Sequence, residues 1–119
     1  MKKEIGIITD TFLGHEHHGI FTFVLHINFG SSGQGFGTYC LIHRSHDDDI
    51  VHYHPIIGEA IAKICAAVGA RSWEELKNKV VCVTRDRESG MIVSVEAPPF
   101  VPHGPAYNIK EHLGQKIDY

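Results

Sequence analysis

Between residues 20 and 29 the side chains alternate without a break, with Phe21, Phe23, Leu25, Ile27 and Phe29 on one side of an extended chain and Ile20, Thr22, Val24, His26 and Asn28 on the other. A helix would scatter those five large apolar side chains around its circumference, whereas a strand gathers them on one face. The segment therefore predicts a strand whose odd-numbered face enters a core. Such a strand cannot stand alone, so the rest of the chain must supply a sheet and a layer to cover it.

Residues 4–13, rich in Ile, Thr and Phe and ending at Gly14, predict a first strand. Residues 37–43 predict a third, after the glycine- and serine-rich connection of residues 30–35, which reads as a loose hairpin. Arg44 to His54, with the run Asp47-Asp48-Asp49, reads as an exposed loop. Pro55 then opens an amphipathic helix on which Ile57, Ile61, Ile64 and Val68 recur three and four apart, with Gly69 as its stop. Ser72-Trp73-Glu74-Glu75 has the pattern of a capping box and predicts a short second helix ending near Asn78. Residues 80–84 and 91–95 predict two more strands around the charged turn from Arg85 to Gly90. From about residue 97, Pro98, Pro99, Pro102 and Pro105 predict an irregular tail with a last helical turn at 109–113. The reading is a single α+β domain over residues 1–119, with an antiparallel sheet of about five strands packed on one main helix plus a short second one. Leu25, Ile27, Ile61, Ile64, Trp73 and Val81 are its expected core.

With 43% hydrophobic and 21% charged residues in 119, disorder is excluded. Eleven Lys and Arg against fourteen Asp and Glu give a net charge of −3, which supplies no global field for bulk nucleic acid or anionic lipid. The apolar stretch after Met1-Lys2-Lys3 is broken by Asp10, Gly14 and His15, too soon for a signal sequence or a membrane span. Cys40, Cys65 and Cys82 sit in apolar runs without CxxC spacing and read as buried, reduced thiols, hence a cytoplasmic protein.

Ten histidines include His15-x-His17-His18 and His52-x-His54. On a strand, histidines two apart share a face and could chelate one ion, yet nothing specifies a third ligand; backbone-bonded loop histidines explain the pattern as well. Gly33 and Gly35 belong to a glycine-rich stretch whose N–H groups could cradle an anion, although the Gly-Lys-Ser/Thr of a phosphate loop is missing and a plain hairpin accounts for the glycines. Arg85 and Arg87 could clamp a phosphate or simply solvate a turn. Phe36 and Phe100 offer faces for stacking a base, and His103 and Asn108 offer hydrogen bonds beside them. No GxSxG, polar-set cysteine or carboxylate pair in an apolar setting marks a catalytic centre, so binding without chemistry is the expectation, with no cofactor.

Three co-linear motifs, His17-His18-Gly19-Ile20-Phe21-Thr22-Phe23, then Gly33-Gln34-Gly35-Phe36-Gly37-x-Tyr39-x-Leu41, then Val68-Gly69-Ala70-x-Ser72-Trp73-Glu74-Glu75-Leu76-x-x-Lys79, resemble a family of small phage and prophage proteins. Within it the chain resembles the Thoeris anti-defence signal sponges, which sequester cyclic ADP-ribose-type messengers or cyclic oligonucleotides without cleaving them. The resemblance implies a phage-encoded protein of the host cytoplasm that binds a cyclic nucleotide-derived signal and assembles as a homo-oligomer. It departs from the family's pattern at Thr38, at Cys82 and in a tail without arginine, which shifts the phosphate contacts to Lys110, Lys116, His103, or Arg85 and Arg87 of another subunit. Two other classes stay open. One is a protein-binding inhibitor of a host nuclease, of the anti-CRISPR type, using Asp47, Asp48 and Asp49 as phosphate mimics. The other is a small metal-dependent enzyme using His15, His17, His52 or His54.

Overall fold

A computed structural model describes residues 2–16, 19–37, 42–44, 51–53, 55–87, 89–101 and 104–113. In chain order they form β1 (Lys2–His15), β2 (Phe21–Asn28), β3 (Gly33–Gly37), β4 (Ile42–Arg44), β5 (Val51–Tyr53), α1 (Ile56–Val68), a single 3₁₀ turn (Trp73–Leu76), β6 (Val80–Arg85), β7 (Ile92–Glu96), β8 (Tyr107–Asn108) and α2 (Ile109–His112). Six strands make one antiparallel sheet in the order β3-β2-β1-β6-β7-β8, and β4 and β5 pair by themselves. The fold is α+β, with one main helix and a short second one. Among the described residues no helix is long and apolar enough to cross a membrane.

The middle of the alternating strand follows its pattern, with Phe23, Leu25 and Ile27 buried and His26 and Asn28 exposed, but Thr22 on the even face is buried as well and Phe21 and Phe29 are only partly so. β1 uses both parities. Gly6 and Ile8 face the core before a register shift between Ile8 and Asp10, after which Thr11 and Leu13 lie opposite Leu25 and Phe23. Ile5 and Ile7 consequently point outward and, with Val80, leave an exposed apolar stripe on the convex face. α1 closes the other face through Ile56, Ala60, Ile64, Ala67 and Val68, and it ends where Gly69 takes a left-handed conformation at φ 84°. Leu25, Ile27, Ile64 and Val81 are fully buried as expected; Ile61 and Trp73 are partly buried and pack against the core's rim.

Four expectations need correction. The glycine-rich stretch is not a loose hairpin: Gly33 to Gly37 is itself a strand, paired with Val24 to Asn28, so strand three begins four residues early. Ile42–Arg44, whose first two residues fall in the expected third strand, pairs with Val51–Tyr53, which lies where a loop is expected. Asp47, Asp48 and Asp49 lie outside the described residues. The capping-box segment makes only one 3₁₀ turn: Glu75 Oε2 accepts from Arg71 N at 2.7 Å, the Ser72 side chain caps nothing, and Asn78 reverses the chain at φ 74°. The tail is not irregular throughout. Beyond Pro105, Tyr107–Asn108 adds a sixth strand to β7, and Tyr107, Ile109 and Leu113 enter the core.

Two outcomes follow. At Gly37, with φ +126°, an added Cβ would sit 2.3 Å from the Phe23 carbonyl oxygen. Gly37→Ala is therefore expected to cost about 2–4 kcal/mol, read as a lowered denaturant midpoint. Burial pushes the Cys65 and Cys82 thiols above the ordinary thiol range. Cys65 and Cys82 should react with a thiol reagent far more slowly in native than in unfolded protein. The stability contributed by keeping these thiols protonated is complete below the unfolded thiol pKa and is lost as pH rises through the folded one.

Candidate functional site

The sheet curls far enough that β3, one of its edges, comes up against β7, four places away in strand order. Arg85 ties this seam. It is paired with Lys2 in the β1–β6 ladder and so shares a face with Glu4, whose Oε1 accepts from its Nε at 2.8 Å. Its Nη1 donates to Gln34 Oε1 of β3 and, at 2.8 Å, to the Gly90 carbonyl in the following turn. The guanidinium also lies over the Phe29 ring, 4.8 Å from its centroid. One side chain thus joins β6, β1, β3 and the 86–91 turn. That turn is closed by Asp86 N donating to Met91 O, and Gly90 supplies its left-handed corner.

Beside this tie lies a slot of about 320 Å³, within the range of small-molecule sites. Gly35 and Gly37 of β3 form one wall; Met91, Ile92, Val93 and Ile109 form the other, with Ser89, Asp86 and Lys110 at its rim. Because two of the strand's residues carry no side chain, its backbone is approachable there. Lys110 Nζ stands 3.7 Å from Asp86 Oδ2, a loose pair with an exposed ammonium, which an incoming anion can displace at little cost.

Of the residues expected to bind, Gly35 lies in the slot and Arg85 at the neighbouring tie, while Gly33 is exposed at the start of β3. Arg87 is exposed in the turn, apart from the partly buried contacts of Arg85. Phe36 is only 1% exposed, its ring edge-on to Tyr107 at 6.3 Å, so it packs and presents no stacking face. Asn108 Oδ1 accepts from Glu111 N and caps α2. Phe100, 84% exposed, follows the far end of β7. Four residues of strand, about 13 Å, separate that end from the Arg85 pairing, so the two do not share a pocket. His103, His17 and His54 lie outside the described residues. His15 Nε2 meets the Tyr53 hydroxyl at 2.9 Å with Phe21 edge-on beside it, an arrangement that docks β5 on the β1–β2 hairpin. His52 is exposed on β5, and no cluster of three metal-binding side chains occurs among the described residues.

A wider groove of about 590 Å³ runs along the convex side of the β1–β2 hairpin, over Phe12, Ile20 and Val24, between the carboxylates of Asp10 and Glu16. Its acidic rim suits an anion poorly. Sequence reasoning missed Gln34 and Glu4 as partners of Arg85, and His112 and Glu59 behind α2; each lies far in sequence from its partner, and no local pattern marks it. No protein-family model, curated protein or solved structure matches the chain.

Arg85→Ala is expected to destabilise the fold by about 2–4 kcal/mol, because it strands a partly buried carboxylate and opens the β3 seam. Arg85→Lys should recover only part of this, since an ammonium cannot serve Glu4, Gln34 and Gly90 with one planar fork. Thermal unfolding of the two variants checks both.

Proposed function

We propose that the chain is a phage-encoded anti-defence protein that binds a cyclic, nucleotide-derived messenger in the seam slot and holds it intact. The observation that carries this reading is the slot's construction: strand backbone without a side chain at Gly35 faces an apolar wall, with Lys110, loosely paired to Asp86, and the Ser89 hydroxyl at the rim. Backbone N–H groups and an ammonium are complementary to phosphate oxygens, and Met91, Ile92 and Ile109 offer surface to a base or ribose. Holding such a ligand requires only complementarity in the ground state. The motifs that resemble the signal-sponge family support the same reading, since Gly33 to Gly37 is its central motif and β3 is the slot's wall.

The homo-oligomer belongs to this proposal as well. Ile5, Ile7 and Val80 form an apolar stripe on the convex face that a second copy would cover. Ile7→Asp should then shift the sedimentation coefficient toward the monomer, and a wild type sedimenting as a monomer at micromolar concentration would remove this part.

Calorimetry with cyclic ADP-ribose and with cyclic dinucleotides tests the ligand. Lys110→Ala is expected to weaken binding about tenfold, the loss of one charge-assisted contact, with no change in melting temperature. Ligand released by heat denaturation should be chemically unchanged. Absence of uptake of every such messenger overturns the proposal, and recovery of cleaved ligand replaces it with an enzyme.

A further inference from the structure

The wall of the slot that carries Ile109 and Lys110 is α2, a single helical turn, and its last residue is a histidine only 7% exposed. His112 Nδ1 lies 2.9 Å from the Tyr107 hydroxyl of β8, and His112 Nε2 lies 3.2 Å from Glu59 Oε1 of α1. Glu59 in turn takes Lys63 Nζ at 3.0 Å, and Tyr107 reaches across the seam to the Phe36 ring of β3. One imidazole therefore joins the helical turn in one wall to α1 and, through Tyr107, to β3.

The angle at Nε2 is unsuited to a hydrogen bond, which leaves that buried nitrogen without a hydrogen-bond partner among the described residues. A neutral imidazole gains little from Glu59 in this arrangement. An imidazolium gains a Coulomb attraction that tolerates the angle, and it places a further positive charge on the helix that forms the slot's cationic wall. The charged and titratable groups facing it are Glu59 and Lys63 from α1 and Tyr107 from β8; on α2 itself its neighbour is Glu111, with Lys110 turned to Asp86. β7, which also packs on α2, has Glu96 as its one charged residue, paired with Lys3.

We propose that His112 is a proton-operated latch: when protonated it draws α2 onto Glu59, fixes Lys110 at the slot and raises affinity for an anionic ligand. The ligand part of this inference rests on the seam slot being the binding site; the latch itself does not. Its sign is set by the added positive charge on the turn that carries Lys110, which favours an anion, and phosphodiester or pyrophosphate groups do not titrate in the same range.

The test reads two quantities as the pH is lowered from about 8 to about 5.5. The first is the amide-exchange protection factor of α2, corrected for intrinsic exchange; the second is the affinity for cyclic ADP-ribose. In the wild type both should rise, affinity by roughly three- to tenfold. His112→Gln, which cannot take the charge, should show neither rise. Glu59→Gln, at a half-exposed position that leaves the core intact, should also flatten both and serves if the His112 variant fails to fold. A protection factor that ignores pH in the wild type, or an equal rise in Glu59→Gln, overturns the latch. If cyclic ADP-ribose binds at neither pH, the slot reading falls while the protection factors still decide the latch.

Discussion

A curled sheet of six strands has two edges that must be reconciled, and here the reconciliation rests on the guanidinium of Arg85. Its Nε and Nη1 reach Glu4, Gln34 and the Gly90 carbonyl, so β6, β1, β3 and the 86–91 turn are held by one rigid fork. Without that tie β3 would be an ordinary edge, free to pair with another chain. With it, the edge is turned toward β7, and the slot that the proposed ligand enters is the gap left between them. The cation–π contact over Phe29 places the charge at the margin of the core, where its partners remain half in solvent and its desolvation is modest.

Glycine makes the curl geometrically feasible at two points. A Cβ on Gly6 would fall 2.7 Å from the Ile27 side chain and 2.8 Å from Phe29, so the missing side chain in β1 is what lets Phe29 lie under Arg85. Gly37 brings the end of β3 against the Phe23 carbonyl in a conformation other residues avoid. The same scarcity of side chains on β3 that permits the close approach leaves its backbone open in the slot. Structure and proposed recognition therefore draw on the same residues.

The C-terminal segment shows how a sequence dense in proline can still complete a fold. Pro98, Pro99 and Pro105 keep the chain out of a ladder as it crosses the end of α1, where Ala97 N and Gly104 N donate to the Ala67 and Ala66 carbonyls. Past Pro105 the chain regains its freedom, and Tyr107, Ile109 and Leu113 close the core from the side that α1 leaves open. This late arrival puts a cation, Lys110, and a buried imidazole, His112, onto a single helical turn whose Lys110 side lines the slot.

The alternation of residues 20–29, the three- and four-residue recurrence of the main helix and the glycine that stops it are local signals, and each element formed where its pattern placed it. Local periodicity determined the class of fold and the buried face because side-chain direction repeats with the backbone. It could not place Gly33 to Gly37 in a strand, since glycine carries no pattern, nor give Tyr107 and Asn108 a partner strand, since two residues have no period. The candidate site was half visible: Gly35, Arg85 and Lys110 could be singled out as types suited to an anion. That Arg85 is spent on Glu4 and Gln34, that Phe36 is buried against Tyr107 and that Glu59 meets His112 are matters of residues brought together from 51 to 81 positions apart. Only the tertiary structure decides such pairs, because the curl of the sheet, and no local preference, sets which side chains share a face.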